Sequence, residues 1–98
     1  MGLFAPDNGK DLIDGTVGRK LNWMSYDHTY EELTSQLKSD EALVGLYERS
    51  YFIAPLLHSK EEYHGYKKQW DECRFISIEY YAVPNTVIEE WKRRLISG

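Results

Sequence analysis

His58, Glu61, Glu62 and His64 fall within one short stretch, with Asp71 and Cys73 further along. On a helix Glu61 and His64 stand at i and i+3, and imidazole plus carboxylate suits Zn or Fe. The set is incomplete as a metal motif. The Glu-x-x-His element occurs once, whereas carboxylate-rich di-iron bundles use two copies and further carboxylates. Neither a His-Glu-x-x-His nor a Cys-x-x-Cys pair is present. Ser59-Lys60-Glu61-Glu62 reads more simply as a capping box that starts a helix, with His64 facing solvent. Cys73 has His28, His58 and His64 as formal thiolate partners. Asp71, Glu72 and the apolar run after it argue for a raised thiol pKa, so Cys73 reads as a small buried hydrophobe. No serine sits in a Gly-x-Ser-x-Gly elbow. Gly15-Thr16-Val17-Gly18-Arg19-Lys20 fits neither phosphate-binding pattern, and Asp7, Asp11 and Asp14 miss the calcium-loop spacing. No metal and no cofactor is expected, and a metal- or thiol-dependent enzyme ranks third among the functional readings.

What remains is aromatic and acidic. The chain holds eight Tyr, three Trp and three Phe, and twelve basic residues against sixteen acidic ones give a formal net charge of −4. A negative overall field disfavours phosphate backbones. Residues 48–54 do not reproduce the RNA-binding strand pattern. Lys92-Arg93-Arg94 reads as a solvated helix face that snorkels over Trp91. Tyr and Trp combine apolar area with a polar tip and are enriched at recognition surfaces. The candidate contact residues are therefore Tyr26, Tyr30, Tyr63, Tyr66, Tyr80 and Tyr81, with Glu61 and Glu62 on the rim to steer a basic partner. An aromatic pocket stacking a small nucleotide-like ligand is the alternative.

These residues need elements to carry them. Residues 74–83 have the strongest strand chemistry, with Ile76, Ile78 and Tyr80 alternating on one face. A helix follows from a capping box at Thr86–Glu89, with Val87 or Ile88, Trp91 and Leu95 on its apolar stripe. Earlier, residues 1–15 read as an irregular arm pinned by Leu3, Phe4, Leu12 and Ile13. Residues 18–26 suggest a short strand. Thr29–Glu32 caps a helix from Tyr30 to about Lys38. Residues 43–48 and 51–57 suggest a hairpin that ends or turns to an edge at Pro55, with a helical alternative for 40–48. Tyr63, Tyr66 and Trp70 form the stripe of the helix after Ser59, where Gly65 costs about 1 kcal/mol relative to Ala. The order β-α-β-β-α-β-α implies an α+β domain, ferredoxin-like with an extra C-terminal helix.

Ninety-eight residues suffice for one domain, 1–98. No apolar run approaches the ~20 residues of a membrane span. A single cysteine and the lack of a secretory signal pattern point to a reducing cytoplasm. The expected function is a small acidic, non-enzymatic interaction domain. It would act as an inhibitor or adaptor of a larger host protein, in the manner of phage and mobile-element inhibitors; a homo-oligomer stays open.

Overall fold

Two eight-residue strands form the centre because each is apolar at odd and even positions alike. β2 (Glu41–Glu48) pairs antiparallel with β4 (Ser77–Pro84), from Glu41 opposite Pro84 to Glu48 opposite Ser77. Residues 41–48 are thus strand and not helix. The computed structural model describes residues 3–23 and 28–97. Leu43 and Tyr47 share one face of the sheet with Ile78, Tyr80 and Ala82, and Val44 and Leu46 share the other with Tyr81 and Val83. A sheet apolar on both faces needs cover on both. α2 (Tyr30–Thr34) and α3 (Lys60–Asp71) cover the first face with Leu33 and Tyr63. α1 (Lys10–Ile13) and α4 (Asn85–Ser97) cover the second with Leu12, Ile88 and Trp91.

β1 (Arg19–Lys20) and β3 (Phe52–Ile53) are the edges, giving the antiparallel order β1-β4-β2-β3. The domain is α+β and from β1 onward the element order is the expected one, but this strand order does not reproduce a ferredoxin-like sheet. The two-sided strands take the middle and the two-residue strands are left outside. Exposed Arg19 and Lys20 suit an edge, since charge there discourages further pairing. β3 is extended on its outer side by the N-terminal arm: Ala5 N–H donates to Ala54 O and Leu56 N–H to Leu3 O, both at 2.8 Å. That arm is more regular than expected. It makes a 3-10 turn over Pro6–Gly9 and then α1, with Leu12 buried. Asp7, Asn8 and Gly9 are left-handed in succession (φ 54, 55 and 79).

Local signals hold where nothing overrides them. The Thr29 and Ser59 hydroxyls accept from the N–H groups of Glu32 and Glu62, as capping boxes require. α2 ends at Thr34, short of Lys38. The Thr34 and Ser35 hydroxyls bond back to the carbonyls of Tyr30 and Glu32, and Gln36 and Leu37 make tight i→i−3 bonds. The expected cap at Thr86 is not used, because α4 starts at Asn85 directly after β4 and places Thr86 inside the first turn. β1 covers only two of the residues 18–26, and residues 24–27 lie outside the described ones, as does the Leu95 side chain. Gly65 is exposed in a regular α3 with open space where a Cβ would stand.

Two side chains differ from expectation in the same region. Ile76 precedes β4 and is 70% exposed rather than sharing the face of Ile78 and Tyr80. Cys73 is exposed rather than buried, because it takes the left-handed position (φ 60) after α3 with its N–H on Trp70 O.

Candidate functional site

The tyrosines expected at a contact surface are mostly interior. Tyr63 and Tyr80 are fully buried and Tyr81 nearly so; Tyr30 and Tyr66 are half-buried. Tyr26 lies outside the described residues. Glu61 is exposed, while Glu62 is half-buried, occupied by the Ser59 cap and by His58 at 2.9 Å. Tyr fills cores well when its hydroxyl finds a partner, and here the rings pack on one another. Tyr47 stacks on Tyr66 at 5.0 Å, and Tyr80 stands edge-on to Tyr47 at 6.1 Å. A ring-stacking ligand would have to displace these contacts. Gly45 belongs to the same packing: a Cβ there would come within 2.6 Å of the Tyr47 ring.

One pair in this layer is specifically bonded. The Tyr63 hydroxyl donates to His28 O at 2.6 Å, so its only proton is spent there. The 2.6 Å contact between His28 Nδ1 and the same oxygen therefore has Nδ1–H as donor. His28 is 1% exposed and lies edge-on to Trp23 and Tyr80.

Burial raises the phenol pKa values of the packed tyrosines. Tyr80 is pushed up to about 12, chiefly by desolvation. Tyr81 is also pushed up to about 12, by burial and then by its bond to the Glu79 carboxylate. Tyr47 and Tyr63 are raised well above the ordinary range, again first by burial. The unfolded chain loses these protons near pH ~10 and the folded chain only later. Protons are thus released on unfolding in that window, and stability falls as pH rises from ~10 towards 12. A near-ultraviolet phenolate titration should show the buried rings ionising in a steep step above pH ~10 that coincides with loss of the circular dichroism signal.

The polar groups that converge on a cavity lie elsewhere, at the hairpin end of the sheet. Glu48 pairs with Ser77 and with Phe52, and Leu46 pairs with Glu79. Because side chains alternate along a strand, Leu46, Glu48, Ser77, Glu79 and Tyr81 share one face. With Ile13 of α1 and Phe52 of β3 they line a cavity of about 290 Å³. Ser77 Oγ donates to Glu48 Oε1 at 3.0 Å, and the Tyr81 hydroxyl donates to Glu79 Oε2 at 2.7 Å. Lys20 pairs with Glu79 at 3.1 Å. Burial works against the Glu79 carboxylate, but the Tyr81 hydroxyl and the Lys20 ammonium hold it below the usual range. Glu48 makes no ion pair among the described residues.

Exposed apolar side chains gather at the same end. Four large hydrophobic residues are exposed among those described: Phe4, Ile13, Tyr51 and Ile76. Ile13 walls the cavity. Tyr51 and Ile76 flank its Glu48 corner, since Ile76 N–H donates to Glu48 O and Arg49 N–H to Tyr51 O. Arg49 stabilises this turn without a glycine, its guanidinium 5.0 Å above the Phe75 ring and bonded to Gln69. Of the residues singled out from sequence, only Tyr81 belongs to this site. Glu48, Ser77, Glu79, Ile13, Phe52, Tyr51 and Ile76 were missed. A carboxylate in each of two apolar strands was the available signal, but joining them needs the cross-strand register.

A second, more open groove of about 430 Å³ runs beside α3, lined by His28, Thr29, His64, Lys67, Lys68 and Asp71. Among the described residues no three His, Cys, Asp or Glu side chains are grouped to hold a metal ion. No described helix is long and apolar enough to cross a membrane. Comparison with protein-family models, curated proteins and solved structures finds no match.

Proposed function

We propose that this chain is a small, non-enzymatic protein-interaction domain of the cytoplasm, an inhibitor or adaptor, and that it meets its partner with the hairpin end of its sheet. The observation that carries the reading is the placement of exposed apolar area. Of the four exposed large hydrophobic residues among those described, Ile13 lines a cavity with two carboxylates in it, and Tyr51 and Ile76 stand next in the chain to its lining residues Phe52 and Ser77, while Tyr47, Tyr63, Tyr80 and Tyr81 are buried. A surface of apolar anchors beside desolvated polar groups is the usual anatomy of an interface. The formal charge of −4 favours a basic partner, whose approach it would accelerate.

Affinity capture from the native host's lysate tests this with three baits. Wild type is expected to retain a partner that Tyr51→Asp and Ile76→Asp both lose, because a charge in an interface core must be desolvated. A bait changed at exposed Glu61, on the other face, should retain it. Equal capture by all the baits, or loss with the Glu61 change alone, would move the contact surface back to the α3 side.

A further inference from the structure

We propose that the cavity between β2 and β4 receives a single arginine side chain carried by the protein partner. This rests on the interaction reading above and names the chemistry of its centre. Charge comes first. The cavity presents Glu48 and Glu79 against the one ammonium of Lys20, which is paired with Glu79. Among the described residues the Glu48 carboxylate has only the Ser77 hydroxyl as its bonded neighbour, so one added monocation balances the site.

Shape and walls then choose among cations. About 290 Å³ lies just below the ~300–1,000 Å³ range of ligand pockets and accommodates one long side chain. Leu46, Phe52 and Ile13 offer apolar and aromatic surface to its stem, which a bare metal ion would not use. A guanidinium is planar, is weakly hydrated, and can fork onto a carboxylate while lying on an aromatic face. An ammonium matches the charge but neither the fork nor the plane. Glu48 is held by Ser77 and Glu79 by Tyr81, so both acceptors are positioned before the guanidinium arrives.

The probe is N-acetylarginine amide titrated into the full chain while backbone amide shifts are followed by NMR. N-acetylcitrulline amide, which is nearly the same shape and uncharged, is the control. Saturable shifts are expected over Leu46–Glu48 and Ser77–Tyr81 with the arginine probe, and citrulline should bind at least about tenfold more weakly, as loss of one charge-assisted contact implies. Glu48→Gln, which keeps an acceptor for Ser77, should weaken the arginine probe by about tenfold. Lys20→Ala removes the resident cation and should strengthen it. Equal responses to arginine and citrulline, shifts outside these strands, or no effect of Glu48→Gln would overturn the proposal.

Capture separates this failure from failure of the interaction reading. If Glu48→Gln keeps the partner while Ile76→Asp loses it, the arginine pocket is wrong and the surface stands. If both baits lose it, and Glu48→Gln melts at the wild-type temperature, both are supported.

Discussion

Gly9→Ala is expected to destabilise the protein by about 2–5 kcal/mol, from one methyl group. Two independent costs add. Gly9 has φ +79, a conformation that costs an L-residue about 1–2 kcal/mol. A Cβ there would also stand 2.9 Å from both Ala54 Cβ and Leu46 Cδ1, and forcing a methyl into a packed core costs about 1–3 kcal/mol. Ala54 is held by the Ala5 N–H bond to its carbonyl, so the crowding cannot be relieved by a rotamer change. Since domains of this size are stable by only about 5–15 kcal/mol, urea unfolding of the variant should show a markedly lower midpoint with a similar slope. The same substitution at Gly65 is the control. It meets open space on an exposed helix and should raise the midpoint, stabilising the protein by up to about 1 kcal/mol.

Tyr63→Phe should cost about 2–6 kcal/mol, although it removes a single oxygen. That oxygen donates to His28 O and accepts from His28 Nδ1–H, both at 2.6 Å and both buried. Deleting it takes away both bonds at once, and each buried group that loses a partner costs about 1–3 kcal/mol. The ring itself would keep its contacts with Tyr30 and Tyr80. Thermal unfolding should therefore show a lower midpoint with no change in partner capture. A variant of wild-type stability that captured less partner would mean that the Tyr63 hydroxyl faces a partner and not His28.

These two residues show what the sequence could and could not carry. The caps at Thr29 and Ser59 were legible because a capping box is decided within four residues. The box at Thr86 was equally well formed on paper, yet β4 runs straight into α4 and leaves no turn for Thr86 to cap. The hairpin stood beside a helical alternative for 40–48, whereas most of the strand expected at 74–83, which runs from Ser77 to Pro84, and the amphipathic helix with Trp91 at its core followed from periodicity. The sheet's order did not, because it depends on β2 and β4 being apolar on both faces, which a one-face alternation of Ile76, Ile78 and Tyr80 concealed. Tyrosine was the least informative residue. Its ring and its hydroxyl suit a core and an interface equally, so composition pointed outward where packing points inward. The cavity was illegible for a different reason. Glu48 and Glu79 are thirty-one positions apart and meet only through a register in which Glu48 opposes Ser77. Cys73 was misplaced because a left-handed helix end usually signals itself with glycine, and here does not.

Hydrogen exchange on the protein with its captured partner reads directly which surface is used. Binding should protect backbone amides of residues 46–52 and 76–79, leaving residues 30–34 and 60–71 exchanging as in the free chain. Protection confined to residues 30–34 and 60–71 would contradict this and return the interface to the helices that cover the tyrosine layer.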